Sequence, residues 1–387
     1  MFQYGNKYLE NQKAIPIDTI QAPLQKGIFR TPRDSEYFNG ICDACPDSWG
    51  KHVIETAAHA VGVNLFETDY ILYAGPDRIG ALGFSSSPDK AAFSENPPWS
   101  ANIPGSTLSL MELEEAAYKV ACEEDLPKKL KRFFIRGSSV GGARPKATVN
   151  VDGVSMLAKF QHPSDSWRLC RVEDACMNLA AACGISVAET SRISFLGGKR
   201  DILLVRRFDR ITTDDIIVRI PFASMMTMCN IPEHAVEGSY LSLATVTRNP
   251  IYNQVYAERD RKEIFRRMVF NILCGNCDDH PRNHGFLFTS NGWQLSPAYD
   301  ITPISSFKDS NCLSMTVGKF GKTATIENAL SHHEIFSLSL EDAQNICLKM
   351  KDIFLSSWET IFSSAGVSQQ EMHSIAKCFP LLHNLYT

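Results

Sequence analysis

The period of the hydrophobic pattern changes near residue 222, and this change limits the fold more than any other feature of the chain. From about residue 132 to 222, short apolar runs alternate with glycine-containing turns such as VDG, which is typical of strands. One helical segment, CRVEDACMNLAAACGI, interrupts them and ends at Gly184. Downstream, the 3.6-residue period predicts helices over Ala257–Leu273, Leu340–Phe362 and Gln369–Leu382. A strand-rich part followed by a helix-rich part predicts an α+β fold of two lobes with a cleft between them.

The region before residue 132 divides into a small N-terminal part, an exposed connection and a helix. Tyr70–Ala74 and Ile79–Phe84 are predicted as two strands joined by the turn GPDR. Residues 84–105 are rich in serine and proline, which favours an exposed connection. The next segment has helical spacing and places five apolar residues toward one side: Leu108, Met111, Leu113, Ala117 and Val120. We therefore predict three domains, over residues 1–105, 106–222 and 223–387.

The composition excludes several classes of protein. A net charge of -4 and a pI near 6.2 provide no global attraction to nucleic acid or to an anionic membrane. We therefore expect DNA contact only through a partner. The start, MFQYGNKYLENQ, lacks the basic and apolar regions of a signal peptide, and no segment approaches the ~18 apolar residues of a membrane span. Twelve scattered cysteines fit reduced thiols, so we expect a cytoplasmic protein without membrane association.

A crowded polar loop, NILCGNCDDHPRNHGFLF, occupies residues 271–288. Gly275 suits the left-handed end of the preceding helix, and HGFLF predicts a strand. A second strand, WQLSPAYDI, follows the turn TSNG and brings one more acid, Asp300. Three interpretations are open here: a helix-capping loop, a catalytic loop, and a zinc site. The zinc site would draw on His280, His284 and two CxxC pairs, Cys42–Cys45 and Cys274–Cys277, but zinc needs four ligands close in space.

The spacing of polar residues in this loop favours the catalytic interpretation. Protein kinases use a catalytic Asp, an Asn five residues later and a further Asp, which correspond here to Asp278, Asn283 and Asp300. The first Asp accepts the proton of the substrate hydroxyl. The Asn and the second Asp offer oxygen ligands, which Mg²⁺ prefers.

The upstream residues that a kinase needs occur in the expected order. The loop Arg136–Lys146, RGSSVGGARPK, has glycines that let backbone N–H groups approach phosphate oxygens. Lys159 ends the strand SMLAKF, where a lysine that contacts phosphate would lie. Glu173 is early in the following helix and could pair with Lys159, as the corresponding residues pair in kinases.

Several of these motifs together resemble the HipA family of bacterial serine/threonine kinases, which contains toxins of toxin–antitoxin pairs. The most similar stretches are SSVGGARPKA, GNCDDHPRNHGFLF and LSPAYDITP. PDSWGKHVIE and DRIGALGF look like parts of the N-terminal subdomain of that family. The resemblance extends over nearly the whole chain and implies a bilobal protein-kinase-like fold of the α+β class.

The resemblance also implies the cofactors ATP and Mg²⁺ and a role for each matching residue. Asp278 matches the catalytic Asp, and Asn283 and Asp300 match the metal ligands. Lys159 matches the lysine that contacts the phosphates of ATP, and the helix glutamate is Glu173. The residues expected to contact ATP are Val140, Gly141, Gly142, Ala143, Arg144, Lys146, Lys159, Ser224, Met225, His280, Asn283 and Asp300. Ser224 and Met225 represent the adenine-binding connection, and His280 is expected to have a structural role in the loop.

Regulation and partners follow from the same resemblance. Ser139 matches a serine that family members autophosphorylate, with Ser138 as the alternative. Phosphate there adds negative charge to a loop built for the phosphates of ATP, so we expect self-inactivation. Family members modify aminoacyl-tRNA synthetases and pair with a HipB-like DNA-binding antitoxin. The sequence matches the family from partway into the usual N-terminal subdomain, which implies either a shortened subdomain or a small HipS-like partner protein that supplies the missing piece. A kinase with other substrates and a binding-only pseudokinase remain the alternatives.

Overall fold

The computed structural model describes residues 1–93, 96–100, 108–127, 130, 133, 142–213, 216–232, 237–304 and 311–382. Its helices are α1 Asn6–Leu9, α2 Asn39–Cys42, α3 Ser48–His59, α4 Glu67–Tyr73, α5 Leu110–Ala121, α6 Leu169–Ala182, α7 Met225–Cys229, α8 Tyr240–Val246, α9 Ala257–Cys274, α10 Ile326–Leu330, α11 Leu340–Ser364 and α12 Gln369–Ala376. Its strands are β1 Lys146–Val151, β2 Val154–Phe160, β3 Thr190–Phe195, β4 Arg200–Arg206, β5 Arg210–Thr213, β6 Ile216–Arg219, β7 Phe222–Ser224, β8 Gly285–Thr289 and β9 Gly292–Leu295. The predicted α+β class is confirmed.

The chain divides into two compact units. The sheet unit comprises Ala44–Asp174 and Glu189–Pro221, and the helical unit comprises Met1–Asp43, Ala175–Ala188 and Phe222–Thr387. The three domain boundaries predicted from the sequence stay predictions. Among the residues that the structure describes, no helix is both long and apolar enough to cross a bilayer.

The sheet unit is built on a four-stranded antiparallel sheet in the order β1-β2-β4-β3. Side chains alternate between the two faces of the sheet. One face contributes Ala147, Ala158 and Ile202 to a hydrophobic core that also contains residues of α3 and α5. The other face carries Lys146 and Lys159, which are directly opposite each other in the β1–β2 register.

Four arginines bind the segment that follows α4. Their guanidinium groups donate to backbone carbonyls of this segment, which a neighbouring strand would otherwise bond. Arg78 is 1% exposed and donates to the carbonyls of Gly75, Ala44 and Ile71. The other three donate to carbonyls between Asp77 and Leu82, and they are Arg207, Arg210 and Arg219. We call these four residues the arginine clamp.

Two strands predicted in this region are wrong, and the arginine clamp explains the second. Tyr70–Ala74 belongs mostly to α4, whose first turn is closed by a hydrogen bond from the Phe66 N–H to Asp69. Ile79–Phe84 forms no strand, because guanidinium groups satisfy backbone carbonyls that a neighbouring strand would otherwise bond.

The helical unit surrounds α9, which is almost entirely buried over its second half. A three-stranded sheet, in the order β7-β8-β9, carries the hairpin that follows the polar loop. The N-terminal segment Met1–Asp43 belongs to this unit although it is distant in sequence. Its Asn39 donates to the carbonyls of Met226 and Ile231 at 3.1 and 2.8 Å.

Two element boundaries and the direction of one side chain differ from prediction for local reasons. The last helix ends at Ala376 instead of Leu382, since Pro380 disfavours helical backbone at the residue before it. The strand WQLSPAYDI stops at Leu295, because Pro297 has no N–H to donate. Met111 is 51% exposed, since it points away from the stripe that buries Leu113 and Val120. The strand expected near residues 132–136 lies almost wholly outside the described residues.

Candidate active site

Helix α9 ends where the sequence predicted, and this end starts the polar loop. Gly275 has φ 65° and ψ 33°, the left-handed conformation that glycine adopts without strain. Its N–H bonds the carbonyl of Ile272, and its own carbonyl accepts from the N–H of Ile304 at 3.1 Å. The segment after Asp300 is therefore fastened to the beginning of the loop.

Within the loop, Asp278 and Asn283 are connected through the backbone. The carbonyl of Asp278 accepts from the N–H of His280 at 2.9 Å and from Nδ2 of Asn283 at 3.1 Å. Asn283 closes a short 3₁₀ turn that begins at Pro281. Because the amide nitrogen faces the loop backbone, the amide oxygen is the end that could bind a cation. The Asp278 side chain is exposed, as a residue that meets a substrate must be.

Asp300 is held in an unusual backbone conformation next to this loop. Its φ is 60°, which is uncommon for a residue with a side chain and is concentrated at functional sites. The preceding Tyr299 donates its hydroxyl to the carbonyl of Arg282 at 2.7 Å. Burial, followed by the charges of Asp43 and Asp300, raises the pKa of Tyr299, so this hydroxyl keeps its proton. The helical unit thus ties the segments of Asp278, Asn283 and Asp300 together.

A buried polar network lies behind Asp278, and the sequence had suggested no role for its central residue, Asp279. Tyr240 donates its hydroxyl to Asp279 and accepts from Nδ2 of Asn271 at 3.0 Å. Asn271 in turn accepts from Nδ2 of Asn276 at 3.0 Å. Nε2 of His284 lies 2.8 Å from a carboxylate oxygen of Asp279. The network connects the loop to α8 and α9.

In the sheet unit, the predicted lysine–glutamate pair is present. Nζ of Lys159 lies 2.5 Å from Oε1 of Glu173, and the two side chains are 13% and 6% exposed. Lys146 is 6% exposed and is the cross-strand neighbour of Lys159 on the same face. Like charges directly opposite each other are unfavourable in a sheet. Such an arrangement fits a surface that binds a polyanion.

The described end of the glycine-rich loop is anchored on α3. The N–H of Gly142 donates to Asp47, and the N–H of Trp49 donates to the carbonyl of Gly142, both at 3.0 Å. Gly142 has φ 96°, a backbone conformation that residues with side chains rarely adopt, so this position favours glycine. Arg144 forms an ion pair with Asp165, and Ala143 lies beside it in the loop. Ser138, Ser139, Val140 and Gly141 lie outside the described residues.

The segment expected to contact adenine is supported by residues that sequence reasoning missed. Ser224 and Met225, at the junction of β7 and α7, are buried. Asp43 accepts from the Ser224 N–H and from Oγ1 of Thr227, both at 2.7 Å. Burial raises the pKa of Asp43, against hydrogen bonds from Ser224 and Thr227 and the charge of Arg282. No local pattern marks Asp43, because its partners lie more than 180 residues away.

The arrangement does not favour the zinc interpretation. No group of three or more His, Cys, Asp or Glu residues that could hold a metal ion occurs within the described ranges. All twelve cysteines are free thiols. Burial raises the pKa of Cys274, which disfavours the thiolate that zinc needs. Asn283 and Asp300 offer oxygen donors instead, which fit Mg²⁺.

Comparisons with known proteins identify the family and the fold of the chain. The sequence model of the HipA-like C-terminal domain matches residues 138–375. The serine/threonine-protein kinase toxin HipA of Shewanella oneidensis is 23% identical over 286 residues, which cover 65% of this chain and 60% of that protein. A putative kinase of Haemophilus influenzae is 25% identical over 191 residues, which cover 45% of this chain and 55% of that protein. The chain thus spans less than two thirds of the length of these relatives.

A solved structure supports the fold over nearly the full length. The complex of Shewanella oneidensis HipA with HipB and operator DNA contains a chain that superposes with a TM-score of 0.64 at 18% identity. The alignment covers 97% of this chain and 88% of that one. At this identity the match establishes the fold, and the predicted bilobal kinase-like class is confirmed.

Proposed function

The chain belongs to the HipA-like family, whose model covers more than half of its length, and from this premise we propose that it is a protein serine/threonine kinase that uses ATP and Mg²⁺. The observation that carries the proposal is the ion pair of Lys159 and Glu173. Removing two charges from water costs several kcal/mol per ion, so a buried pair is weak evidence for stability. A pair of this kind orients the lysine that contacts phosphate in kinases.

Each residue of the site has a chemical role in this proposal. Asp278 accepts the proton of the substrate hydroxyl, and the hydrogen bonds at its carbonyl hold it in position. Lys159, oriented by Glu173, binds phosphate oxygens. Gly142, Ala143, Arg144 and Lys146 belong to the phosphate-binding loop together with Val140 and Gly141. Ser224 and Met225 contact adenine, and His280 shapes the loop through its backbone hydrogen bonds.

The cofactors would add the phosphoryl group and positive charge to this site. Asn283 and Asp300 would hold Mg²⁺, which neutralises charge on the phosphates when it is bound. The chain itself supplies the oxygen ligands, the proton acceptor and the lysine.

The decisive experiment compares the wild type with Asp278→Asn in a cell lysate supplied with radiolabelled ATP. The wild type should label one or a few proteins, and the variant should lose at least about 10³-fold in rate, because it cannot accept the hydroxyl proton. Asp352→Asn, an exposed position on α11, is the matched control and should keep full activity. Equal labelling by wild type and Asp278→Asn would refute the kinase assignment.

Finer parts of the proposal concern the substrate and the partners. We propose a cytoplasmic toxin that phosphorylates a translation protein such as an aminoacyl-tRNA synthetase. Its partners would be a HipB-like antitoxin, which makes the DNA contact, and a small HipS-like protein. The Shewanella protein occurs with HipB and operator DNA, which supports the antitoxin. The identity of the labelled protein separates the toxin from a kinase with other substrates.

Self-inactivation is a separate part of the proposal. Autophosphorylation of Ser139, or of the neighbouring Ser138, would place negative charge in the loop that binds the phosphates of ATP. Mass spectrometry after incubation with ATP should find phosphate at one of these serines, and the modified protein should lose activity. Phosphate found only elsewhere, or full activity of the modified protein, would disprove it.

A further inference from the structure

A hairpin over residues 311–323 carries an exposed aromatic side chain at its tip, and its first limb adjoins a segment that contacts the polar loop. Its first limb buries alternate residues, Leu313, Met315 and Val317, in the helical unit. At the tip, Phe320 is 50% exposed. The hairpin carries two lysines, Lys319 and Lys322, and no acidic residue. We call residues 311–323 the tip hairpin.

The tip is held by two side chains of the following helix region. Asn328 is fully buried, accepts from the Phe320 N–H at 2.8 Å and donates to the carbonyls of Gly321 and Thr323. Oγ of Ser331 accepts from the Lys319 N–H at 2.9 Å. These bonds fix the backbone on both sides of Phe320. An exposed aromatic residue on a fixed backbone loses little conformational entropy on binding, as interface anchors require.

The tip hairpin is connected to the proposed catalytic loop through one short segment. The carbonyl of Thr316 accepts from the Tyr240 N–H at 3.0 Å, and the Thr316 N–H donates to the Gly238 carbonyl at 2.8 Å. A Cβ atom at Gly238 would lie 2.7 Å from Cγ of Pro281 and 2.8 Å from Sδ of Met315, so the three segments are in close contact. Phe320 is four positions after Thr316, so at ~3.3 Å per residue it lies within about 13 Å of Thr316, about four residues of an extended peptide.

We propose that the tip hairpin docks the protein substrate through a segment that combines acidic side chains with one large apolar side chain. Phe320 packs on the apolar residue, and Lys319 and Lys322 attract the acids. Glu237 reaches to 3.8 Å of Lys322 but is 84% exposed, so solvent screens its charge. The inference rests on the proposed kinase function and adds the chemistry of its substrate.

The test uses libraries of short serine and threonine peptides in which one flanking position at a time is fixed. The full-length wild type, Phe320→Ala and the double variant Lys319→Glu/Lys322→Glu phosphorylate the libraries with radiolabelled ATP. The wild type should prefer acids and one large apolar residue within a few positions of the phosphorylated residue. Phe320→Ala should lose about tenfold of the apolar preference, and charge reversal should replace the acidic preference with a basic one.

The matched control is Leu348→Ala/Lys349→Glu on α11, where an exposed apolar residue also neighbours an exposed lysine. It should keep the wild-type preferences, and melting temperatures check that every variant folds. Unchanged preferences in the tip variants overturn the inference. If the tip hairpin binds a fluorescent single-stranded oligonucleotide through Lys319 and the peptide preferences of the tip variants stay unchanged, the docking inference is overturned in favour of nucleic-acid binding.

A binding measurement separates this inference from the kinase proposal. Fluorescence anisotropy follows a labelled peptide with acids around one phenylalanine, added to the Asp278→Asn protein with and without Phe320→Ala. If no library is phosphorylated by the wild type, the kinase proposal fails. If Phe320→Ala weakens binding of the labelled peptide, the docking surface is still supported. If Phe320→Ala leaves this binding unchanged, the docking inference is overturned.

Discussion

At the scale of single residues, the proposed base Asp278 depends on neighbours that do no chemistry themselves. Asp279 is 2% exposed, and it faces a tyrosine hydroxyl and a histidine nitrogen. A buried carboxylate is costly unless hydrogen bonds and nearby dipoles compensate for the loss of water. The network from Asp279 through Tyr240 to Asn271 therefore stabilises one position of the loop that carries Asp278.

We predict that Asp279→Asn lowers kcat by about 10- to 100-fold, because a mismatched buried hydrogen bond costs about 1–3 kcal/mol and lets the loop shift. Tyr240→Phe should act in the same direction. Combining them should cost less than the sum of the two effects, since both variants break one network. Steady-state kinetics and melting curves measure this. Strictly additive losses, or an Asp279→Asn enzyme as active as wild type, would contradict the network.

Asp43 makes a prediction about pH. Burial raises its pKa above the unfolded value of about 3.9, so the folded protein holds this proton more tightly. Its contribution to stability is therefore present at low pH and is lost as pH rises through the raised pKa. Asp43→Asn keeps an acceptor for Ser224 and Thr227 but cannot ionise. The melting temperature of Asp43→Asn relative to wild type should rise with pH. A pH-independent difference for Asp43→Asn would exclude ionisation of Asp43.

At the scale of elements, the arginine clamp decides the conformation of a segment that has strand-like sequence. Asp209 is the carboxylate at its centre and lies 2.7 Å from both Arg207 and Arg210. Burial would raise the pKa of Asp209, but the charges of these arginines outweigh burial and lower it. Its stabilisation is present above the unfolded pKa of about 3.9 and is lost only as pH falls through the lowered value.

We predict that Asp209→Asn destabilises the sheet unit by about 3–5 kcal/mol at pH 7, because it leaves buried arginines without their charge partner. Hydrogen exchange should speed up over residues 75–84. Glu189→Gln is the matched control: it breaks the exposed pair with Arg206 in the same unit and should change little. The clamp has no such role if the two variants have similar stability.

At the scale of the whole molecule, the order of segments in space differs from their order in the chain. The first 43 residues belong to the helical unit, together with segments that start at residues 175 and 222. Asn39 and Asp43 make this connection specific, since both bond the β7–α7 segment. Deleting residues 1–43 would therefore leave buried groups of that segment without partners.

We predict that the truncated chain loses the stabilisation that ATP gives to the intact chain, because Ser224 and Met225 would no longer be held. Hydrogen exchange over residues 222–232 should rise at the same time. Asn39→Ala should also reduce the stabilisation by ATP and raise hydrogen exchange over residues 222–232, but by less than the truncation does. Full ATP-dependent stabilisation of the truncated chain would show that the N-terminal segment does not support the nucleotide site.

The sequence by itself determined features that depend on neighbours along the chain. The end of α9 at Gly275, the α+β class and the choice of Lys159 with Glu173 follow from backbone preferences, hydrophobic period and the order of motifs. Only the tertiary structure decided the partners of Asp43, the network of Asp279 and the loss of the strand at Ile79–Phe84. Hydrogen bonds and charges act over a few ångströms, whatever the separation in sequence. Such partners become identifiable only after folding has brought distant segments together.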